Sequence, residues 1–211
     1  DFGELRTRES LGQVIRVRDS TGQVILSLGP IYGEWIDYRD IPDVMVDAMV
    51  SVEDRRFRYH PGVDPIGLAR AVQVRLTRGH FAQGGSTITQ QLARNLFLTN
   101  TRTFGRKGRE LVIAMAMEAK YSKDEILELY LNRVYFGSGF YGAEAASQGY
   151  FGKPSIEMSI GQCATLAGLL KSPQALSPFN NPEDSQQARD FVLKRMRELG
   201  FITRKELEQE I

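Results

Sequence analysis

Helical periodicity dominates the order of hydrophobic and polar positions along this chain. Between Ile41 and Phe57, apolar side chains recur at steps of three and four residues, which predicts an amphipathic helix that begins near Pro42. Similar segments follow, and glycine, proline or N-cap residues separate them. These segments are residues 65–79, 86–98, 104–120, 122–134, 159–170 and 187–199. The pattern predicts a mostly helical protein with about eight or more helices.

Two local patterns refine this prediction. Residues 14–29 (VIRVRDSTGQVILSLG) alternate β-branched and polar side chains around a Ser-Thr-Gly turn, which indicates a short β-hairpin. Ser86 or Thr87 is a suitable N-cap, and Ser122 with Glu125 has the spacing of a capping box. We therefore expect a mainly α fold with one short N-terminal β-hairpin.

Length and composition favour a single domain over residues 1–211, because 42% hydrophobic side chains are enough for one substantial core. The formal net charge of +1 argues against a polyelectrolyte binder, and we expect no nucleic-acid partner. No apolar run approaches the length of a membrane span. The chain begins without methionine, so we expect a native N-terminal anchor to be missing from it.

The cysteine and the two histidines predict no metal site. Cys163 lies in the apolar run CATLAGLL, which favours a buried core thiol over a nucleophile. His60 and His80 combine with Cys163 at no recognised zinc spacing.

An acid-free basic tract extends from Pro65 to Arg109. Acids bound it on both sides, with Glu53, Asp54 and Asp64 before it and Glu110 directly after it. Gly84 and Gly85 inside the tract allow close backbone approach to a ligand, and the helix that begins after them favours an anion. The tract contains eight cations: Arg70, Arg75, Arg78, Arg94, Arg102, Arg106, Lys107 and Arg109.

Two interpretations of this tract are open. One is a solvated basic face that rests on anionic lipid or nucleic acid, and the other is a phosphate or diphosphate pocket. Arg106, Lys107 and Glu110 share one helix face, but a surface salt bridge explains that spacing equally well.

The carboxylate before the tract favours the diphosphate pocket. A glycosidase needs two carboxyl groups, because its alcohol leaving group must receive a proton. A diphosphate leaves as an anion, so fixed positive charge and one base are sufficient. Glu53 opposite a cation-rich tract therefore fits sugar transfer from a diphosphate donor better than hydrolysis.

Five motifs resemble those of peptidoglycan glycosyltransferases in order and spacing. This family comprises the glycosyltransferase domains of class A penicillin-binding proteins and the monofunctional transglycosylases. The resemblance covers about residues 34–196. The motifs are EDRRFRYHPG (53–62), GGSTITQQLARN (84–95), RKGRE (106–110), KDEILELYLNRVYFG (123–137) and, more weakly, ARDFVLKRM (188–196).

The resemblance implies a lysozyme-like helical lobe and a smaller, membrane-contacting jaw, which we place at about residues 65–109. It implies polymerisation of lipid II into β-1,4-linked glycan strands, with inversion and release of undecaprenyl diphosphate. It further implies an extracytoplasmic, membrane-associated location and binding of moenomycin-type inhibitors. No cofactor is expected to be required. Stimulation by a divalent cation and a transpeptidase domain after Ile211 are left open.

The same resemblance assigns the site residues. Glu53 corresponds to the general base on the acceptor 4-hydroxyl, and Glu110 to the glutamate that orients or stabilises the donor. Diphosphate ligands are expected at Lys107, Arg102 and Arg94. The remaining predicted substrate-binding residues are Ser86, Thr87, Gln90, Gln91 and Asn95, which line the cleft, and Tyr135 and Gly137, which lie further along the groove.

Neighbouring residues receive structural interpretations. Asp54 points about 100° away from Glu53 on a helix and is expected to act as a cap or ion-pair partner. His60 is expected to brace the turn at Pro61-Gly62, and Phe57 and Tyr59 are expected in the core. An ordinary solvated helix face is expected for Glu118, Glu125 and Glu128.

The interleaved apolar residues of the basic tract suggest contact with a bilayer surface. They are Leu68, Val72, Leu76, Phe81, Leu96, Phe97, Leu98 and Phe104. Two rival functions are a lysozyme-like hydrolase of finished glycan and a non-catalytic basic module that docks on membrane or nucleic acid. The first leaves the cationic tract unexplained, and the second makes Glu53 incidental.

Overall fold

The computed structural model describes residues 2–7, 15–18, 20–21, 24–28, 30–78, 85–98 and 104–211, which contain ten α-helices. The helices are α1 (Phe2–Thr7), α2 (Asp43–Glu53), α3 (Pro65–Arg78), α4 (Ile88–Phe97), α5 (Phe104–Lys120), α6 (Lys123–Arg133), α7 (Ala143–Phe151), α8 (Ile160–Leu169), α9 (Pro182–Glu198) and α10 (Arg204–Glu210). The prediction of a mainly helical fold is confirmed.

Two small sheets accompany the helices. β1 (Ile15–Arg18) pairs antiparallel with β2 (Val24–Leu28), so the predicted N-terminal hairpin is confirmed. β3 (Ile31–Tyr32) pairs in parallel with β4 (Phe140–Tyr141). Strands of two residues are too short to leave a periodic pattern, which explains why the second pair was not predicted.

Local capping explains several helix boundaries. Thr87 is the N-cap of α4, and its side chain accepts a hydrogen bond from the Gln90 amide. Ser122 and Glu125 form the predicted capping box of α6, and Ser159 with Gln162 forms another at α8. These side chains satisfy helix amides that otherwise lack a partner.

The core forms where α2, α8 and α9 pack against one another. Met45 and Met49 from α2, Leu166 from α8, and Leu193 and Met196 from α9 are completely buried. Cys163 lies among them, and burial raises the pKa of its thiol to about 12, which disfavours the reactive thiolate. A second layer, α4 with α5 and α6, packs beside this core.

Three predictions of burial are wrong. Tyr59 is 87% exposed, whereas Phe57 is buried, because a 3-10 turn at Phe57–Tyr59 sends side chains two positions apart to different sides.

The other two wrong predictions concern glutamates. Glu128 is buried and accepts hydrogen bonds from Trp35 Nε1 at 2.8 Å and the Tyr38 amide at 2.9 Å. Glu118 has an almost fully buried carboxylate that accepts from Lys123 Nζ at 2.7 Å. Both glutamates have partners distant in sequence: Trp35 lies 93 residues from Glu128, and Thr89, which donates its hydroxyl to Glu118 Oε1 at 2.5 Å, lies 29 residues from Glu118.

Some apolar side chains of the predicted jaw face solvent. Ile66 and Leu68 on α3 and Phe97 at the end of α4 are exposed. Among the described residues, every helix is too short or too polar to cross a bilayer.

Candidate active site

The C-terminus of α2 gives two adjacent carboxylates different surroundings. Asp54, the C-cap residue, is buried, lies 2.9 Å from His60 Nε2 and accepts a hydrogen bond from the Ile88 amide at 3.1 Å. His60 Nδ1 in turn accepts from the Gly62 amide at 3.1 Å. Both structural predictions are confirmed: Asp54 ties α2 to the start of α4, and His60 braces the turn.

Glu53 is the last residue of α2 and faces an open cleft. Its Oε2 accepts a hydrogen bond from Gln91 Nε2 at 2.7 Å. Burial raises the pKa of Glu53 and Asp54 adds to this effect, while the Gln91 hydrogen bond and the Arg94 charge oppose it. A carboxylate with a raised pKa is a stronger base near neutral pH than an ordinary glutamate.

A lysine with fixed partners lies at the start of α5. Lys107 Nζ donates to Glu110 Oε1 at 2.5 Å, Ser86 Oγ at 2.8 Å and Gln90 Oε1 at 3.3 Å. These three acceptors match the three donors of an ammonium group. The Lys107 side chain is nevertheless 43% exposed, so an anion has access to its charge.

Glu110 is the buried anionic partner of this lysine. Its side chain is fully buried, and its Oε2 lies 3.7 Å from Arg94 Nη1 without a hydrogen bond from the described residues. A buried carboxylate needs such cations to remain ionised. Glu110 therefore holds Lys107 and Arg94 on the same side of the site.

Glu53 and Arg94 meet at a cleft of about 690 Å³, whose lining does not include Lys107 or Glu110. Glu53, Ser86, Gln91 and Arg94 line it on one side. The opposite wall comes from the end of α8 and from α9. That wall includes Lys171, Asp184, Gln187, Ala188 and Phe191.

The other predicted substrate-binding residues are more dispersed. Thr87 is buried and donates its hydroxyl to the Gly62 carbonyl at 2.6 Å, so it holds the N-terminus of α4 in place. Gln90 is also buried and contacts Lys107, whereas Asn95 is exposed on α4. Arg102 lies outside the described residues.

Tyr135 and Gly137 lie at a different turn and are absent from the cleft lining. The Tyr135 hydroxyl donates to Gln174 Oε1 at 3.1 Å. Gly137 has φ +87°, and a Cβ atom there would lie 2.2 Å from the Pro173 carbonyl oxygen. A close approach between this turn and the loop after α8 therefore requires glycine at position 137.

Sequence reasoning missed two parts of the site. Tyr130 on α6 is fully buried, and its hydroxyl donates to Gln91 Oε1 at 3.2 Å. In the sequence it has only the helical spacing of a core residue. The sequence of α9 did contain a pattern that could have indicated this wall. Asp184, Gln187 and Phe191 are spaced by three and four residues, so they lie on one helix face.

The chain is similar in sequence to known proteins. A family model described as Transglycosylase matches residues 21–197. Penicillin-binding protein 1A of Aquifex aeolicus (strain VF5) is 45% identical over 199 residues, 94% of this chain and 27% of that protein. Penicillin-binding protein 1F of Bacillus subtilis (strain 168) is 41% identical over 191 residues, 90% of this chain and 27% of that protein. The chain thus spans about a quarter of the length of these relatives.

A solved structure is similar in fold. The crystal structure of penicillin-binding protein 1A from Haemophilus influenzae aligns with a TM-score of 0.56 and 22% identity, covering 95% of this chain and 20% of that chain. Because the family model covers most of the sequence, the chain belongs to the transglycosylase family and is a transglycosylase domain of the class A penicillin-binding protein type.

Proposed function

We propose that this domain polymerises lipid II into β-1,4-linked glycan strands of peptidoglycan and releases undecaprenyl diphosphate. One observation carries the proposal: Glu53, a carboxylate with a raised pKa, faces the same cleft as Arg94, and Lys107 bonds Ser86, which also lines that cleft. This combination suits an anionic leaving group, which needs positive charge and no proton.

Glu53 is the general base in the proposed reaction. Its Oε1 receives no hydrogen bond from the described residues, so it is available to the 4-hydroxyl of the acceptor lipid II. The carboxylate takes the hydroxyl proton while the oxygen attacks the anomeric carbon of the growing strand. The bond from that carbon to the diphosphate breaks on the opposite face, which inverts the configuration.

The electron pair of the broken bond stays on the departing diphosphate oxygen, and Lys107 and Arg94 stabilise the negative charge that develops there. Three fixed acceptors hold the Lys107 ammonium group in place, so little reorganisation is needed as the charge develops. Arg102 is proposed as a further ligand on the strength of the motif alone. No metal or cofactor takes part in this proposal.

The exposed apolar residues Ile66, Leu68 and Phe97 support contact with the bilayer that holds the lipid tail. Membership of the transglycosylase family supports the extracytoplasmic face of the membrane as the proposed location. Replacement of Ile66 and Leu68 by serine should weaken binding to vesicles that contain anionic lipid. Unchanged binding would contradict the proposal for this surface.

The decisive experiment incubates labelled lipid II in detergent with the domain and with Glu53→Gln, and separates the products by size. We expect a ladder of glycan strands from the wild type and a rate at least about 100-fold lower from the variant. Release of sugars from preformed glycan without a ladder would instead support a hydrolase. Equal ladders from both proteins would exclude Glu53 as the base.

A further inference from the structure

A continuous chain of hydrogen bonds runs from the buried Tyr130 to the carboxylate of Glu53. The Tyr130 hydroxyl donates to Gln91 Oε1 at 3.2 Å, and Gln91 Nε2 donates to Glu53 Oε2 at 2.7 Å. The three side chains come from α6, α4 and α2. Of these three residues, Glu53 and Gln91 line the cleft and the buried Tyr130 does not, so Tyr130 acts from behind the cleft wall.

The Tyr130 hydroxyl and the Glu53 carboxylate, which contact opposite ends of the Gln91 amide, together favour one orientation of that amide. The two orientations of an amide have nearly the same shape but exchange donor and acceptor. Burial raises the pKa of Tyr130 well above its usual value, so the side chain remains a phenol and retains its donor. When that donor is directed at Oε1, the amide N–H group faces the carboxylate. The reversed amide would place its oxygen against an ionised oxygen.

We propose that Tyr130 is a positioning residue that acts through Gln91 to fix Glu53 Oε2 and leave Oε1 for the acceptor hydroxyl. This inference rests on the proposed function, because it requires Glu53 to take the proton. Neither Tyr130 nor the Gln91 carbonyl touches the reacting atoms. Their effect is on the orientation and basicity of the carboxylate.

The charged groups around Glu53 determine the direction in which its pKa should change when this role is lost. They are Asp54 directly after α2, Arg94 on α4 and, elsewhere in the cleft lining, Lys171 and Asp184. Of the groups near the carboxylate, the Gln91 N–H group and Arg94 lower its pKa, whereas burial and Asp54 raise it. Loss of a fixed N–H donor should therefore raise the pKa of Glu53 further.

The first test is Tyr130→Phe, which removes the hydroxyl and keeps the buried ring. At neutral pH we expect kcat for lipid II polymerisation to fall about threefold to tenfold, with KM unchanged within about twofold. The acidic limb of the kcat profile should move to higher pH, because the base is ionised only there. Activity should approach that of the wild type as the pH is raised.

Tyr150→Phe is the matched control. It removes a half-buried phenol hydroxyl that donates to the Phe136 carbonyl at 3.0 Å, on α7 and away from Glu53. We expect the acidic limb of this variant to coincide with that of the wild type. Thermal unfolding of both variants, measured in parallel, corrects for any loss of folded enzyme.

A double-mutant cycle tests whether Tyr130 acts through the amide. Gln91→Met removes the amide and retains a side chain of similar length. If Gln91 transmits the effect, adding Tyr130→Phe to Gln91→Met should lower kcat no further. Multiplying effects would show that the two residues act independently and would overturn the inference.

Failure of the inference differs from failure of the proposed function. If Glu53→Gln is inactive but Tyr130→Phe keeps the wild-type pH profile, Glu53 is the base and Tyr130 does not position it. If Glu53→Gln is fully active, both proposals fail. Titration of labelled glutamate carboxyls by nuclear magnetic resonance, with Glu53→Gln for assignment, gives a readout without turnover. An unchanged Glu53 pKa in Tyr130→Phe would also contradict the inference.

Discussion

At the scale of residues, the environment separates two neighbouring carboxylates. Asp54 is buried against His60 and the Ile88 amide, and it serves the structure. Glu53 faces the cleft with one oxygen held by Gln91. Burial disfavours the ionised form of Glu53, so this residue carries a free-energy cost that is consistent with selection for chemistry rather than for stability.

This cost predicts that Glu53→Gln is more stable than the wild type at neutral pH. Because the folded-state pKa of Glu53 is raised, the folded protein binds its proton more tightly than the unfolded chain does. Wild-type stability is therefore lost as pH rises from the usual glutamate pKa through the folded value. We expect the melting temperature of the variant to be higher by about 1–3 °C at pH 7–8 and equal near pH 4.

Thermal unfolding by circular dichroism at both pH values measures this difference. Glu157→Gln, at an exposed position in a short 3-10 helix, is the matched control. A lower melting temperature for Glu53→Gln at pH 7–8 would contradict the prediction.

Lys107→Met should destabilise the domain, because it leaves the buried Glu110 carboxylate with Arg94 3.7 Å away as its remaining described cationic partner. We expect a loss of about 1–3 kcal/mol in the free energy of unfolding. Lys107→Met combined with Glu110→Gln should regain most of that stability, since no buried charge is then left unpaired. Polymerisation of lipid II should remain low in both variants, because the cation is missing. Recovery of activity in the double variant would show that Lys107 has only a structural role.

At the scale of elements, α4 joins the two halves of the site. Gln91 and Arg94, three residues apart on this helix, reach Glu53 and Glu110 respectively. The position of α4 depends on its N-terminus, where Thr87 caps the helix and bonds the Gly62 carbonyl. One buried hydroxyl thus affects the alignment of base and cations.

Thr87→Val should therefore lower both stability and activity. The change keeps the shape but removes the cap and the bond to Gly62, so we expect a loss of about 1–2 kcal/mol and a melting temperature lower by about 2–8 °C. Thr87→Ser retains the hydroxyl and should stay close to the wild type. Calorimetry with a polymerisation assay checks both variants, and equal behaviour of valine and serine would contradict the role of the cap.

At the scale of the whole molecule, the cleft lies between parts that are distant in sequence. Glu53, Ser86 and Arg94 face a wall that α9 provides. Phe191 on that wall is 59% exposed although it is a large aromatic residue. An exposed ring inside a cleft is suited to stacking on a sugar face.

Phe191→Ala should accordingly weaken substrate binding more than it weakens the fold. We expect KM for lipid II to rise about threefold to tenfold, as for the loss of one stacked ring. Phe179→Ala is a suitable control, since Phe179 is 62% exposed but does not line the cleft. Steady-state kinetics of the two variants distinguish them, and an equal KM in both would remove Phe191 from the substrate site.

The sequence alone determined most of the features that depend on residues close together in the chain. Helical periodicity placed α5 at Phe104–Lys120, and capping chemistry located the starts of α4 and α6. Glu53, followed by the acid-free basic tract from Pro65 to Arg109, indicated sugar transfer from a diphosphate donor. These features are encoded over a few residues or by charge, so they are visible without a fold.

Tertiary structure decided which groups are buried and which partners they meet. Glu118 and Glu128 resemble surface glutamates in sequence, but Thr89 and Trp35, which are distant in the chain, donate hydrogen bonds to them. Tyr130 has the helical spacing of any core residue, and only the packing of α6 on α4 brings its hydroxyl to Gln91. Burial and hydrogen-bond partners depend on segments tens of residues apart, and local patterns carry no information about those distances.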